Sequence, residues 1–66
     1  MNIAVNGEMM QLEGPLSVAD LLVRLGLPRQ KIAVEHNLEI VPKSTYDTHM
    51  LAAGDRIEIV QFIGGG

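Results

Sequence analysis

Cysteine is absent from the 66 residues, and that one absence excludes a disulfide framework, a thiolate metal site and a cysteine nucleophile. A reducing, cytoplasmic setting is expected. Aromatic side chains are almost as scarce: there is no tryptophan, and Tyr46 and Phe62 stand alone. Five basic residues against eight acidic ones give a net charge of -3 with no basic cluster, which argues against nucleic acid as a partner. No apolar run approaches the roughly 20 residues of a membrane span, and the start of the chain lacks the basic and apolar regions of a signal peptide. Neither membrane insertion nor export is expected. A chain this short forms one small domain that buries only about 60% of the surface its unfolded form exposes. That leaves no room for both a stable core and a deep catalytic pocket, so an enzyme acting alone is not expected. With 47% hydrophobic residues, an efficient core is within reach.

The local pattern is strongest in the first half. Met1 to Leu12 read as two short strands around Asn6-Gly7, a pair suited to a type I′ turn because both of its central positions need φ > 0. A two-residue loop sets Val5 opposite Glu8, Ala4 opposite Met9, Ile3 opposite Met10 and Met1 opposite Leu12. Met1, Ile3, Val5, Met10 and Leu12 then share the core face, while Asn2, Ala4, Met9 and Gln11 share the other. A helix follows from Val18 to about Leu25, with Val18, Leu21, Leu22 and Leu25 at i, i+3, i+4 and i+7. Ser17 with Asp20 three residues later forms a capping box, and Leu16 can staple against Leu21. Gly26 suits a left-handed C-terminal cap, Leu27 can fold back on Leu22, and Pro28 stops the helix.

Beyond the helix, Ile32-Ala33-Val34-Glu35-His36 alternates as a strand and Ile40-Val41 is a short extended piece before Pro42. Lys43 to Ala53 reads as a loop holding at most a helical turn. Gly54-Asp55 turns the chain into a last strand that sends Ile57 and Ile59 to the core and Arg56, Glu58, Val60 and Phe62 outward. The expected core is Ile3, Val5, Met10, Leu12, Val18, Leu21, Leu22, Leu25, Ile32, Val34, Ile57 and Ile59. The expected class is α+β: a mixed sheet of four to five strands packed on one helix, spanning residues 1–63 as one domain.

That last strand runs into Gly64-Gly65-Gly66. Three residues without a Cβ make a thin, flexible tail whose distinctive chemical group is the α-carboxylate of Gly66. With a pKa of roughly 3.3 to 3.7 the carboxylate is an anion at neutral pH, a poor electrophile that needs activation from outside. A folded domain presenting such a tail has the form of a carrier.

The Asn6-Gly7 hairpin, Ser17-Val18-Ala19-Asp20-Leu21-Leu22, Ala33-Val34-Glu35-His36-Asn37 with Ile40-Val41-Pro42, and Ala53-Gly54-Asp55-Arg56-Ile57-Glu58-Ile59 ahead of a Gly-Gly end resemble the sulfur carrier family of thiamine biosynthesis. The resemblance covers essentially the whole chain, and it rests on the order of the pieces, since none of them is specific alone. It implies the ubiquitin-like β-grasp fold. It also implies that Gly66 carries the chemistry: an ATP-dependent adenylating enzyme activates its carboxylate, and sulfur displaces AMP to leave a thiocarboxylate. Partners implied are that enzyme, a sulfur-donating enzyme and thiazole synthase, with ATP bound by the activating partner and no cofactor or metal held by this chain. Gly65 and Gly64 let the tail enter a buried nucleotide site. Two other readings share the same end: the small subunit of molybdopterin synthase, and a ubiquitin-like modifier joined to lysines through Gly66, for which Lys31 and Lys43 would be the self-linkage sites.

In a β-grasp sheet the first and last strands are neighbours, so Val60, Phe62, Ala4 and Met9 would merge into one apolar patch beside the tail. Partner docking is the role expected of that patch. His36 and His49 are expected to be solvated or locally hydrogen-bonded and to form no metal site. Glu35, Glu39, Asp47, Asp55 and Glu58 read as a solvated acidic surface.

Overall fold

The computed structural model describes residues 1–62. Expectations placed on Gly64, Gly65 and Gly66, and on the boundary at residue 63, lie outside the described residues. Strands β1 (Asn2–Val5) and β2 (Glu8–Gln11) form the expected hairpin. Asn6 and Gly7 both take positive φ, 51° and 81°, as a type I′ turn requires. Val5 pairs with Glu8, Ala4 with Met9 and Ile3 with Met10, so the register follows from the turn. Ile3 and Val5 are buried accordingly.

Helix α1 (Val18–Leu25) keeps its sequence boundaries because both ends are chemically closed. Four backbone N–H groups at the start of a helix lack an intrahelical partner. Here Val18 donates to the His49 carbonyl at 2.9 Å and Ala19 to the Tyr46 carbonyl at 2.9 Å. Asp20 donates to Ser17 Oγ at 3.0 Å, and the first intrahelical bond runs from the Leu21 N–H to the Ser17 carbonyl at 3.0 Å. The Asp20 carboxylate accepts in return from the Ser17 N–H at 3.0 Å, completing the capping box and holding its carboxyl below the usual range. At the other end Gly26 has φ 71°, its N–H donates to the Val23 carbonyl, and the Leu27 N–H donates to the Leu22 carbonyl. Those two bonds are the Schellman pattern.

A single-turn 3₁₀ segment (Arg29–Lys31) leads into β3 (Ile32–His36), which pairs antiparallel with β4 (Glu39–Ile40). The connecting turn has Asn37 at φ 51° and Leu38 at φ 74°. This is another I′-like turn, with leucine at a position where glycine is usual, a conformation that costs roughly 1–2 kcal/mol for a residue with a Cβ. A second 3₁₀ turn (Lys43–Thr45) and an irregular stretch precede β5 (Arg56–Gln61). The sheet order is β2-β1-β5-β3-β4, with β5 parallel to β1 and antiparallel to β3. The architecture is the expected mixed sheet against one helix, with five strands.

The core departs from the sequence expectation at its edges. Ile3, Val5, Val18, Leu21, Leu22, Ile32, Val34 and Ile57 are buried as expected, but Met10, Leu12, Leu25 and Ile59 are only partly buried around them. Leu16, Val41, Tyr46 and Leu51 complete the buried set. The physical reason is size. An eight-residue helix of about 12 Å is short against a five-stranded sheet, and Leu16, Val41, Tyr46 and Leu51, all outside the helix and the strands, supply the rest of the buried set.

Candidate functional site

β5 is the element that presents the end of the chain, and its two edges are held differently. On the β3 side, Ile32 pairs with Gln61, Ala33 with Val60, Val34 with Ile59 and Glu35 with Glu58. The Phe62 N–H still donates to the Lys31 carbonyl at 2.8 Å. On the β1 side, strand pairing covers only Ala4 with Arg56 and Val5 with Ile57. The end of β5 therefore overhangs its parallel neighbour.

Val60 and Phe62 project from this overhang, each 56% exposed. Outward orientation was expected of both. The single patch uniting them with Ala4 and Met9 does not form. Ala4 lies beside Arg56, four residues before Val60 along β5, or about 13 Å at roughly 3.3 Å per residue. Met9, 66% exposed, sits one strand further out, opposite Ala4. Arg56 and Glu58 separate the two pairs on the same face. The adjacency of β1 and β5 was legible, but their register sends the apolar side chains to opposite ends. Ala33, paired with Val60, and Ile40, paired with Glu35 and exposed, are the outer-face residues that sequence reasoning did not include. The Ile40-Val41 pair was the available signal: alternation puts one of the two outside, and the structure buries Val41.

The histidines are brought together at the other end of β5. His49 Nε2 lies 2.7 Å from His36 Nδ1, and His36 Nε2 lies 2.7 Å from an Asp55 carboxylate oxygen. Burial pushes the Asp55 carboxyl up. The Ala52 N–H together with His36 and Asn37 more than offsets this and holds it below the usual range. The chain ties β3, the Gly54-Asp55 turn and the segment after β4 to one another. Among the described residues no cluster of His, Asp or Glu is arranged to hold a metal. Arg29 makes a two-point contact with Asp47, at 3.1 and 3.2 Å, on an exposed surface beside α1. None of the described helices is long and apolar enough to cross a membrane.

What the described residues display at the end of β5 is an exposed strand end, followed in the sequence by the glycines. A ThiS family model matches residues 2–66. The chain belongs to the ThiS family. ThiS proteins are the sulfur carriers of thiamine biosynthesis. The sulfur carrier protein ThiS of Escherichia coli is 33% identical, with both chains covered in full. A crystal structure of the thiamine biosynthesis protein ThiS from Geobacter metallireducens superposes with a TM-score of 0.85 at 33% identity, again over the whole of both chains. Its agreement with the five-stranded sheet and single helix establishes the ubiquitin-like β-grasp fold. A thiazole synthase of Paramagnetospirillum magneticum is 48% identical over all 66 residues, which make up 20% of that protein. The chain spans about a fifth of the length of the two thiazole synthases it matches.

Proposed function

We propose that this chain is a protein co-substrate, carrying sulfur on the α-carboxyl group of Gly66 for thiazole formation. The observation that carries the proposal is the course of β5: the last strand of a ThiS fold overhangs the sheet, bears exposed Val60 and Phe62, and leads directly to Gly64-Gly65-Gly66. A carboxylate oxygen attacks the α-phosphorus of ATP held by an adenylating enzyme, pyrophosphate leaves, and an acyl-adenylate forms. Hydrosulfide released by a sulfur-donating enzyme then attacks the acyl carbon, AMP departs and the S–H proton is lost to solvent. The product thiocarboxylate delivers its sulfur to thiazole synthase. Each step takes place in a partner's site, where a Cβ on residues 64 to 66 would collide and glycine does not. Extended, those three residues reach about 10 Å. The chain itself needs no cofactor, and the absence of cysteine leaves no internal thiol to compete for the activated carbonyl. Two relatives named thiazole synthase contain a segment matching this whole chain, which supports thiazole synthase as the receiving partner. The proposed setting is the cytoplasm.

The test is intact mass. Protein purified from cells starved of thiamine is expected to show one oxygen replaced by sulfur, with fragmentation placing the change on Gly66. An unmodified Gly66 under starvation and repletion alike would overturn the proposal.

Docking is assigned to Val60 and Phe62, with Met9 and Ala4 contacting only a partner broad enough to reach across Arg56 and Glu58. Ordering a glycine tail costs roughly 1–2 kcal/mol per residue in backbone entropy, so side-chain burial has to supply affinity. A fully buried phenylalanine contributes about 1.5–3 kcal/mol, and every 1.4 kcal/mol is about tenfold in Kd. Phe62→Asp is expected to weaken binding to both the adenylating enzyme and thiazole synthase by tenfold or more, while the exposed position leaves the fold intact. Titration of the variant against each enzyme checks this, and undiminished affinity for both removes the surface from consideration.

A further inference from the structure

Asn6 does more than make its turn. Along the edge of β5 that faces β1, the Asp55 carbonyl accepts from the Ala4 N–H at 3.0 Å and the Ile57 carbonyl accepts from the Asn6 N–H at 2.9 Å. The backbone then bends away through Gly7. The Asn6 side chain takes the place of the next strand residue: its Oδ1 accepts from the Ile59 N–H at 2.7 Å, and its Nδ2 donates to the Ile59 carbonyl at 3.2 Å. Asn37, at the corresponding place in the other hairpin turn, grips the opposite edge at the start of β5, its Oδ1 accepting from the Arg56 N–H at 2.8 Å. Past Ile59 no described strand flanks β5 on the β1 side, and among the described contacts Val60 and Gln61 pair with β3 while the Phe62 N–H bonds the Lys31 carbonyl just before it. Ile59 is thus the last point at which the outgoing chain is fixed on both sides.

We infer that Asn6 is a positioning residue for sulfur loading: its side-chain amide pins β5 at Ile59 and so sets the direction in which Val60, Phe62 and the glycine tail leave the sheet. This rests on the carrier function proposed above. Phe62 lies three residues beyond the pin, about 10 Å at strand spacing. A swing of only about 10° at Ile59 would carry it nearly 2 Å, more than a packed docking contact tolerates. Neither bond is needed for the turn itself, since glycine fits both central positions of a type I′ turn.

Asn6→Gly therefore keeps the turn and removes the pin. Two readouts decide the matter: hydrogen exchange at the Ile59 amide, and KM and kcat for pyrophosphate release when the adenylating enzyme acts on this chain. Val41→Ala, a buried core position outside β5 and its Asn6 contact, serves as a control for lowered stability. Asn6→Gly is expected to accelerate Ile59 exchange relative to Ile57 and to raise KM about tenfold, the scale of one or two lost hydrogen bonds, with kcat at saturation nearly unchanged. Val41→Ala is expected to leave both parameters at wild-type values. Unchanged protection of Ile59 would overturn the pin, and faster exchange with an unchanged KM would overturn its role in loading. A wild-type chain that the enzyme does not accept would bring down the carrier function and this role with it, a result distinct from equal acceptance of both forms.

Discussion

Deleting Gly65 and Gly66 is expected to abolish adenylation while leaving the melting temperature unchanged. Among the described residues every buried one lies at or before Ile57, and the deletion removes none of them. The loss of activity should be total because it is a loss of reach. A carboxylate ending at Gly64 has the same reactivity, but it falls about 7 Å short at roughly 3.5 Å per extended residue. In-line attack on the α-phosphorus requires the reacting atoms within about 3–3.5 Å, and effective molarity collapses beyond that. Pyrophosphate release with the truncated chain and a purified adenylating enzyme measures the effect directly. Any turnover approaching that of the full chain would show that the reactive group is not the carboxylate of Gly66.

What the sequence disclosed and what it withheld divide along locality. Asn6-Gly7 specified a hairpin and its register because both turn positions need positive φ, and no distant residue has a say in that. Ser17, Asp20 and Gly26 specified the helix ends for the same reason. The relation of Ala4 to Val60 was different. It depends on where β5 starts against β1, and that is set by contacts of the Gly54-Asp55 turn such as the Gly54 N–H to the Asn2 carbonyl at 2.8 Å, between residues far apart in sequence. Parity showed which face each side chain occupies, but not how far along the strand, and the expected single patch separated into two. Asn6 hid its second role because one residue type serves both: an asparagine that suits a left-handed turn also carries the amide that pins Ile59. The same is true of Asn37. His36 and His49 lie 13 residues apart, and only the folding of the segment after β4 brings their rings within hydrogen-bonding distance. Gly64 to Gly66 were conspicuous for the opposite reason, since a run without side chains is visible in the sequence with no tertiary geometry.

Tyr46 is where the absence of a periodic pattern concealed the most energy. It lies in a stretch without helical or strand alternation, yet it is 1% exposed and is the largest of the fully buried side chains. Its ring belongs to the same buried cluster as Leu16, Val41 and Leu51. Its hydroxyl donates to the Ile32 carbonyl at 3.3 Å, and the Arg29 guanidinium lies 5.6 Å from the ring centroid. Its backbone carbonyl caps the Ala19 N–H, so the same residue joins the first turn of α1 to the start of β3. Burial also raises the phenol above its ordinary pKa, keeping the hydroxyl protonated as a donor throughout the neutral range. Tyr46→Ala should leave a cavity in the core, and truncation of a large buried aromatic costs about 3–5 kcal/mol. Against a total stability of roughly 5–15 kcal/mol for a small domain, that is enough to unfold much of the population at physiological temperature. Tyr46→Phe separates the contributions: it removes only the hydrogen bond, worth about 0.5–1.5 kcal/mol, and keeps the packing. Denaturant titration of both variants is expected to place the phenylalanine form close to wild type and the alanine form far below it. Equal, small losses in the two would mean that the segment after β4 lies over the sheet without contributing to the core.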